Sequence, residues 1–141
     1  IQAQVLDLMR QLQREFRAAI MFITHDLGVI AEIADDVIVM YLGEIVEKAP
    51  VREIFRNPRH PYTQGLMDSL PSLSLPRKQR LAAIEGSVPS PFSIPAGCRF
   101  APRCRHVTDI CLGESPKLGD VGPEHLAACH LHDPALAVDG S

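Results

Sequence analysis

The chain has 141 residues, of which 46% are hydrophobic, and a formal net charge of −3 at pH 7. That balance leaves no basic face for non-specific nucleic-acid binding, and no apolar run approaches the roughly 20 residues that a membrane helix needs. The length suits one modest domain, or part of one carrying an appendage. No secretory signal is visible, because Ile1 opens directly into a helical pattern. The start without methionine reads as a truncation.

Residues 1–16 predict an amphipathic helix, with Val5, Leu8, Met9, Leu12 and Phe16 on one face of a 3.6-residue period. The apolar run from Ala18, closed by Thr24-His25-Asp26, predicts a buried strand over about 18–24 in a parallel sheet covered on both faces. His25 then falls at the strand's carboxyl end, where open α/β sheets bind ligands. Asp26 suits the N-cap of a following helix whose apolar stripe is Leu27, Ile30, Ala31 and Ala34. Val37 to Leu42 and Glu44 to Glu47 predict two strands joined in a tight hairpin at Gly43.

No proline precedes Pro50, and the chain beyond it reads as richer in loops. Pro50 opens a short helix over 50–56 that Asn57-Pro58 ends. Pro61 opens another, in which Tyr62, Leu66 and Leu70 share a face. The serines and prolines between Pro71 and Gly97 predict a surface-lying linker, from which Leu81, Ile84 and Val88 can dock on a neighbour. Residues 98–132 hold all four cysteines and four of the six histidines, and 133–141 read as a frayed end.

The run Ile20 to Asp26, the helix after it, Ala34-Asp35-Asp36, Tyr41-Leu42-Gly43 and Gly43-Glu44-Ile45-Val46-Glu47 resemble the end of an ABC-transporter ATP-binding domain. Ile1-Gln2-Ala3-Gln4 resembles the start of the helix after that family's D-loop. The resemblance narrows beyond Pro50. Asn57-Pro58-Arg59-His60-Pro61-Tyr62-Thr63 is similar to the His-Pro-Tyr element of oligopeptide and dipeptide importer ATPases. Gly97-Cys98-Arg99-Phe100-Ala101-Pro102-Arg103-Cys104, Cys111 and Ala128-Cys129-His130 are similar to their C-terminal extension.

This resemblance implies an α/β fold class, the C-terminal part of an ABC-type nucleotide-binding domain with a parallel strand, helices and a hairpin, followed by a loop-rich, cysteine-bearing extension. The implied boundaries are 1–70 for the ATPase portion, 71–97 for the linker and 98–141 for the extension. His25 is implied to be the switch histidine, catalytic through the γ-phosphate and the attacking water. ATP and magnesium are the cofactors implied for the longer protein. The implied partners are a second ATP-binding subunit, two permease subunits and an extracytoplasmic peptide-binding protein, with no nucleic acid. The implied location is the cytoplasmic face of the cell membrane, peripherally attached. The chain contains no G-x-x-x-x-G-K-[S/T], no LSGGQ-like signature and no strand ending in an Asp-Glu pair. By itself it is therefore expected neither to bind ATP tightly nor to hydrolyse it. A metal- or cluster-stabilised interaction module without catalysis is the competing reading.

The cysteines are spaced Cys98-x5-Cys104-x6-Cys111-x17-Cys129. Four cysteines in a proline-rich, weakly cored segment predict a staple. A disulfide pair conflicts with the reducing compartment that the resemblance implies. Zinc takes four thiolates, but its structural sites favour closer C-x2-4-C pairs. A [4Fe–4S] cluster spreads four thiolates more widely, which these spacers accommodate, and some importer ATPases of the resembled family carry one. Arg99, Arg103 and Arg105 are expected to offset the site's negative charge. His60 is expected to serve a turn, and His106 and His130 rank below the cysteines as ligands.

Overall fold

In the computed structural model, residues 2–70, 84–90 and 92–133 are described. Leu81 and the core of the linker lie outside them. The chain divides into two compact units, Ile1–Asp35 and Asp36–Ser141.

The first unit holds two helices, α1 (Gln2–Phe16) and α2 (Leu27–Ile33). The α1 periodicity does form a helix, but the expected inward stripe is open: Val5, Leu8, Leu12 and Phe16 are exposed, and Leu6 is buried instead. Arg10 links the two helices, since its guanidinium donates to the Glu32 carbonyl and lies 3.7 Å from the Glu32 carboxylate. Asp26 caps α2 as expected. Its Oδ1 accepts from Gly28 N at 2.9 Å and Val29 N at 3.1 Å, satisfying two N–H groups that the first helical turn leaves free.

The parallel strand expected at 18–24 is not formed. These residues are irregular and open, with Met21 87% and Ile23 88% exposed. A strand has no hydrogen bonds of its own and exists only against a neighbour. No strand lies among the described residues of this unit. The apolar run marks a segment suited to burial in a sheet, not one that forms a sheet alone.

The second unit is built on a four-stranded antiparallel sheet, ordered β1 (Asp36–Tyr41), β2 (Glu44–Pro50), β4 (His125–Ala127), β3 (Gly119–Gly122). The expected hairpin turns at Leu42 and Gly43, with φ of +47° and +82°. Two consecutive positive values match the right-handed twist of the strands. The β3–β4 hairpin is absent from the sequence reading, and it attaches the cysteine-bearing segment to the edge of β2 through Glu47↔Ala127 and Lys48↔Leu126. The remaining helices are α3 (Val51–Arg56), α4 (Pro61–Asp68) and the short α5 (Asp109–Gly113).

The core of this unit is Tyr41, Val46 and Phe100, with Tyr62, Ile84, Cys98 and Cys104 packed around it. Tyr41 meets Phe100 edge-on at 5.2 Å, and Tyr62 lies 4.8 Å from Tyr41 and 5.5 Å from Phe100. Such aromatic pairs contribute about 0.5–1.5 kcal/mol beyond area burial. The ring of Phe100 thus docks the cysteine segment onto the hairpin and onto α4. Among the described residues no helix is long and apolar enough to cross a membrane.

Candidate functional site

Each cysteine reaches the site from a different local element. Cys98 follows Gly97, where the backbone must pass close to α5: a Cβ there would stand 2.7 Å from the Leu112 carbonyl carbon. That approach lets Cys98 N donate to Cys111 O at 2.8 Å. Cys104 ends the 3-10 turn Ala101–Arg103, Cys111 sits in α5, and Cys129 follows β4. All four are partly buried and unpaired by disulfides. They line one small cavity together with His60, His106, His130 and Phe100.

Every one of the four sulfurs faces a hydrogen-bond donor. The N–H groups of Phe100 and Ala101 point at Cys98. His106 N lies 3.4 Å from Cys104 Sγ, and Thr108 Oγ1 lies 3.3 Å from Cys111 Sγ. Leu131 N–H points at Cys129. These donors favour a sulfur bearing negative charge. Burial opposes them: it pushes the Cys98 and Cys104 thiols up, and raises Cys129 to about 11, with the neighbouring sulfurs adding to the rise. The donor set therefore fits a group held by four thiolates, with the positive charge supplied by that group. Among the described residues no cluster of three or more His, Cys, Asp or Glu side chains is gathered to hold a single metal ion.

The three arginines interleaved with the cysteines are each anchored to a different place, and the Arg105 charge also favours the charged form of the Cys104 sulfur. Arg99 donates to the Leu42 carbonyl and pairs with Glu44 Oε1 at 2.8 Å. Arg103 donates to the carbonyls of Ile84 at 2.9 Å and Glu85 at 3.0 Å. Arg105 pairs with Asp68 of α4 at 3.1 Å. They are clamps that fasten the cysteine segment to three different places.

A buried polar lock beside the cavity escaped the sequence reading. Glu47 is fully buried, and its carboxylate accepts from Arg59 N at 2.7 Å, His60 N at 2.9 Å and His125 Nε2 at 2.6 Å. It joins β2 to the His60-Pro61-Tyr62 turn and to β4. A bulge opposite Val39/Met40 turns both Val46 and Glu47 inward, breaking the alternation that would have left Glu47 outside. His60 serves the turn, as expected: it caps α4, with Nδ1 accepting from Tyr62 N at 3.1 Å. Burial lowers its pKa to about 4, with Glu47 pulling the other way and His132 adding to the fall.

Residues 46–111 match the family described as oligopeptide/dipeptide transporter, C-terminal region. The matched span holds Glu47, the His-Pro-Tyr turn and the first three cysteines, and ends at Cys111. The chain is also 48% identical over 133 residues to the oligopeptide transport ATP-binding protein AppD of Bacillus subtilis, covering 94% of this chain and 40% of that protein. It is 46% identical over 129 residues to the oligopeptide transport ATP-binding protein OppD of Mycobacterium tuberculosis, covering 92% of this chain and 21% of that protein. A Brucella ovis protein named for peptide import and ATP binding is 49% identical over 134 residues, 92% of this chain and 40% of that protein. The chain thus spans 40% or less of the length of these relatives.

His25 lies in the first unit, exposed, in the bend between Thr24 and the α2 cap. The Thr24 hydroxyl accepts from Asp26 N at 3.0 Å, which fixes the backbone on either side of the imidazole. Among the described residues the His25 side chain makes no hydrogen bond.

Proposed function

We propose that this chain is the C-terminal portion of the ATP-binding subunit of a peptide ABC importer, which couples ATP hydrolysis to peptide uptake. The observation that carries the reading is the family match over residues 46–111, whose His-Pro-Tyr turn is locked to the cysteine segment through Glu47 and Phe100. Residues 1–70 are the ATPase portion, 71–97 the linker and 98–141 the cysteine-bearing extension. In the longer protein His25 is the switch histidine, directed at the γ-phosphate of ATP and the attacking water. The P-loop, signature and magnesium-binding strand end are supplied from outside these residues, so the chain alone is inactive. A second ATP-binding subunit, two permeases and an extracytoplasmic peptide-binding protein complete the importer, with this subunit on the cytoplasmic membrane face.

Cys98, Cys104, Cys111 and Cys129 hold a [4Fe–4S] cluster, with zinc the alternative. Four thiols facing N–H and O–H donors around one cavity support a thiolate-held group. The cluster is favoured over zinc because the spacing Cys98-x5-Cys104-x6-Cys111-x17-Cys129 lacks the close C-x2-4-C pairs of structural zinc sites. Its role is structural, joining α5, β4 and the Gly97 loop.

Two measurements test the reading. In the full-length protein with its permeases, His25→Ala is expected to lower ATP turnover about 100-fold or more, with nucleotide binding retained. An ATPase rate from the 141-residue chain that survives His25→Ala overturns the assignment. Iron and acid-labile sulfide in stoichiometric amounts support the cluster, and one zinc per chain without sulfide removes it.

A further inference from the structure

We propose that Arg99 is a positioning residue through which loading of the four-cysteine site sets the conformation of the β1–β2 turn. This rests on the reading of the cysteines as ligands of one group. Three consecutive side chains diverge from this loop: Cys98 faces the cavity, Arg99 reaches the turn, and Phe100 fills the core. Of the three arginines among the cysteines, Arg99 alone engages the hairpin. Its guanidinium forks between the Leu42 carbonyl and the Glu44 carboxylate, spanning both sides of the turn.

The turn it grips is strained. Leu42 has φ +47°, a left-handed conformation that is unfavourable for a non-glycine residue because its Cβ crowds the following carbonyl oxygen. Gly43 carries φ +82° without that penalty, and Arg99 Nη1 lies 3.7 Å from where its Cβ would be. The orientation of the Leu42 carbonyl belongs to this conformation, and the Arg99 fork recognises it. A turn without the fork is free to relax.

Loading acts on Arg99 through the backbone. Ala101 N–H donates to the Cys98 carbonyl at 3.0 Å, Cys98 N–H is held by Cys111 O at 2.8 Å, and the Phe100 N–H favours a charged Cys98 sulfur. A ligated, negatively charged sulfur strengthens the last of these interactions, because hydrogen bonds to charged acceptors are shorter and stronger than neutral ones. That fixes the backbone on both sides of Arg99 and the direction in which its side chain leaves. Arg105, in contrast, meets an exposed aspartate and has no strained partner.

The test is amide hydrogen exchange across residues 41–45 in the 141-residue chain, before and after anaerobic loading with ferrous iron and sulfide, with zinc as a second arm. Metal uptake is measured first. Loading is expected to slow exchange of the turn amides about tenfold in the unaltered chain and in Arg105→Gln. Arg99→Gln, loaded to the same metal content, is expected to lose that slowing. Glu44→Gln leaves the cysteine loop untouched and is expected to reduce it about threefold, which keeps the test open where Arg99→Gln fails to fold. Slowing retained in Arg99→Gln or undiminished in Glu44→Gln, or uptake without slowing in the unaltered chain, overturns the coupling alone. Uptake of neither iron–sulfide nor zinc overturns the ligand reading, and the coupling with it.

Discussion

Removing the Glu47 carboxylate tests whether the His-Pro-Tyr turn and the cysteine segment are held as one unit. Glu47 is fully buried and receives three donors, two of them backbone N–H groups of Arg59 and His60. The third is His125, itself 2% exposed. Glu47→Ala orphans all three, and breaking a buried charged network in this way costs about 3–5 kcal/mol. Glu47→Gln keeps the shape. Its carbonyl oxygen can serve the Arg59 and His125 donors that share Oε1, but its NH2 then opposes His60 N–H, so the expected loss is about 1–3 kcal/mol. The assay is urea unfolding followed by tyrosine fluorescence. The chain has two tyrosines and no tryptophan, and Tyr41 and Tyr62 both pack on Phe100, so the signal reports this unit alone. A cycle with His125→Ala should show a coupling of about 1–3 kcal/mol. Glu47→Gln within about 0.5 kcal/mol of the unaltered chain, or additive effects of Glu47→Ala and His125→Ala, would refute the lock.

His60 predicts an acid limb in the stability of the metal-free chain. Its folded pKa of about 4 lies below the unfolded value of 6.5, so the native state favours the neutral ring. That contribution is complete above pH 6.5 and is lost as pH falls from 6.5 through 4, amounting to about 3 kcal/mol. His60→Asn retains a capping acceptor and should flatten this limb; an unchanged slope between pH 6.5 and 4 sinks the argument. Gly97→Ala drives a methyl group into the backbone of α5, with the Leu112 carbonyl carbon 2.7 Å away. It should break the Cys98–Cys111 contact, abolish iron or zinc uptake and cost about 2 kcal/mol or more. Normal uptake by that variant would mean that α5 shifts freely and that Cys111 is not fixed by Gly97.

What could be foreseen in this chain depended on whether the deciding interaction was local. Asp26, Gly43, Pro50 and Pro61 each act within a few residues, through a cap, a turn or a first helical position, and α2, the β1–β2 hairpin, α3 and α4 formed where these residues indicated. Met21 and Ile23 failed as strand residues because pairing is a property of two segments, and the apolar run carries only half of the information. The β3–β4 hairpin, with Gly119, Gly122 and Pro123, is absent from the sequence reading for the converse reason. Little in their composition favours a strand, and the β3–β4 hairpin exists because the edge of β2 was there to extend. The same distinction runs through the site. The cysteine spacing was visible, but not the Thr108 hydroxyl or the main-chain donors facing the sulfurs, since those follow from how each loop folds. Glu47 was hidden twice, first by a bulge that reverses its side and then by partners 12, 13 and 78 residues away. A buried carboxylate with three donors from two distant segments is therefore a fold-level feature. It makes the His-Pro-Tyr turn and the strand leading to Cys129 dependent on one side chain, so damage at Glu47 should reach both the turn and the fourth sulfur.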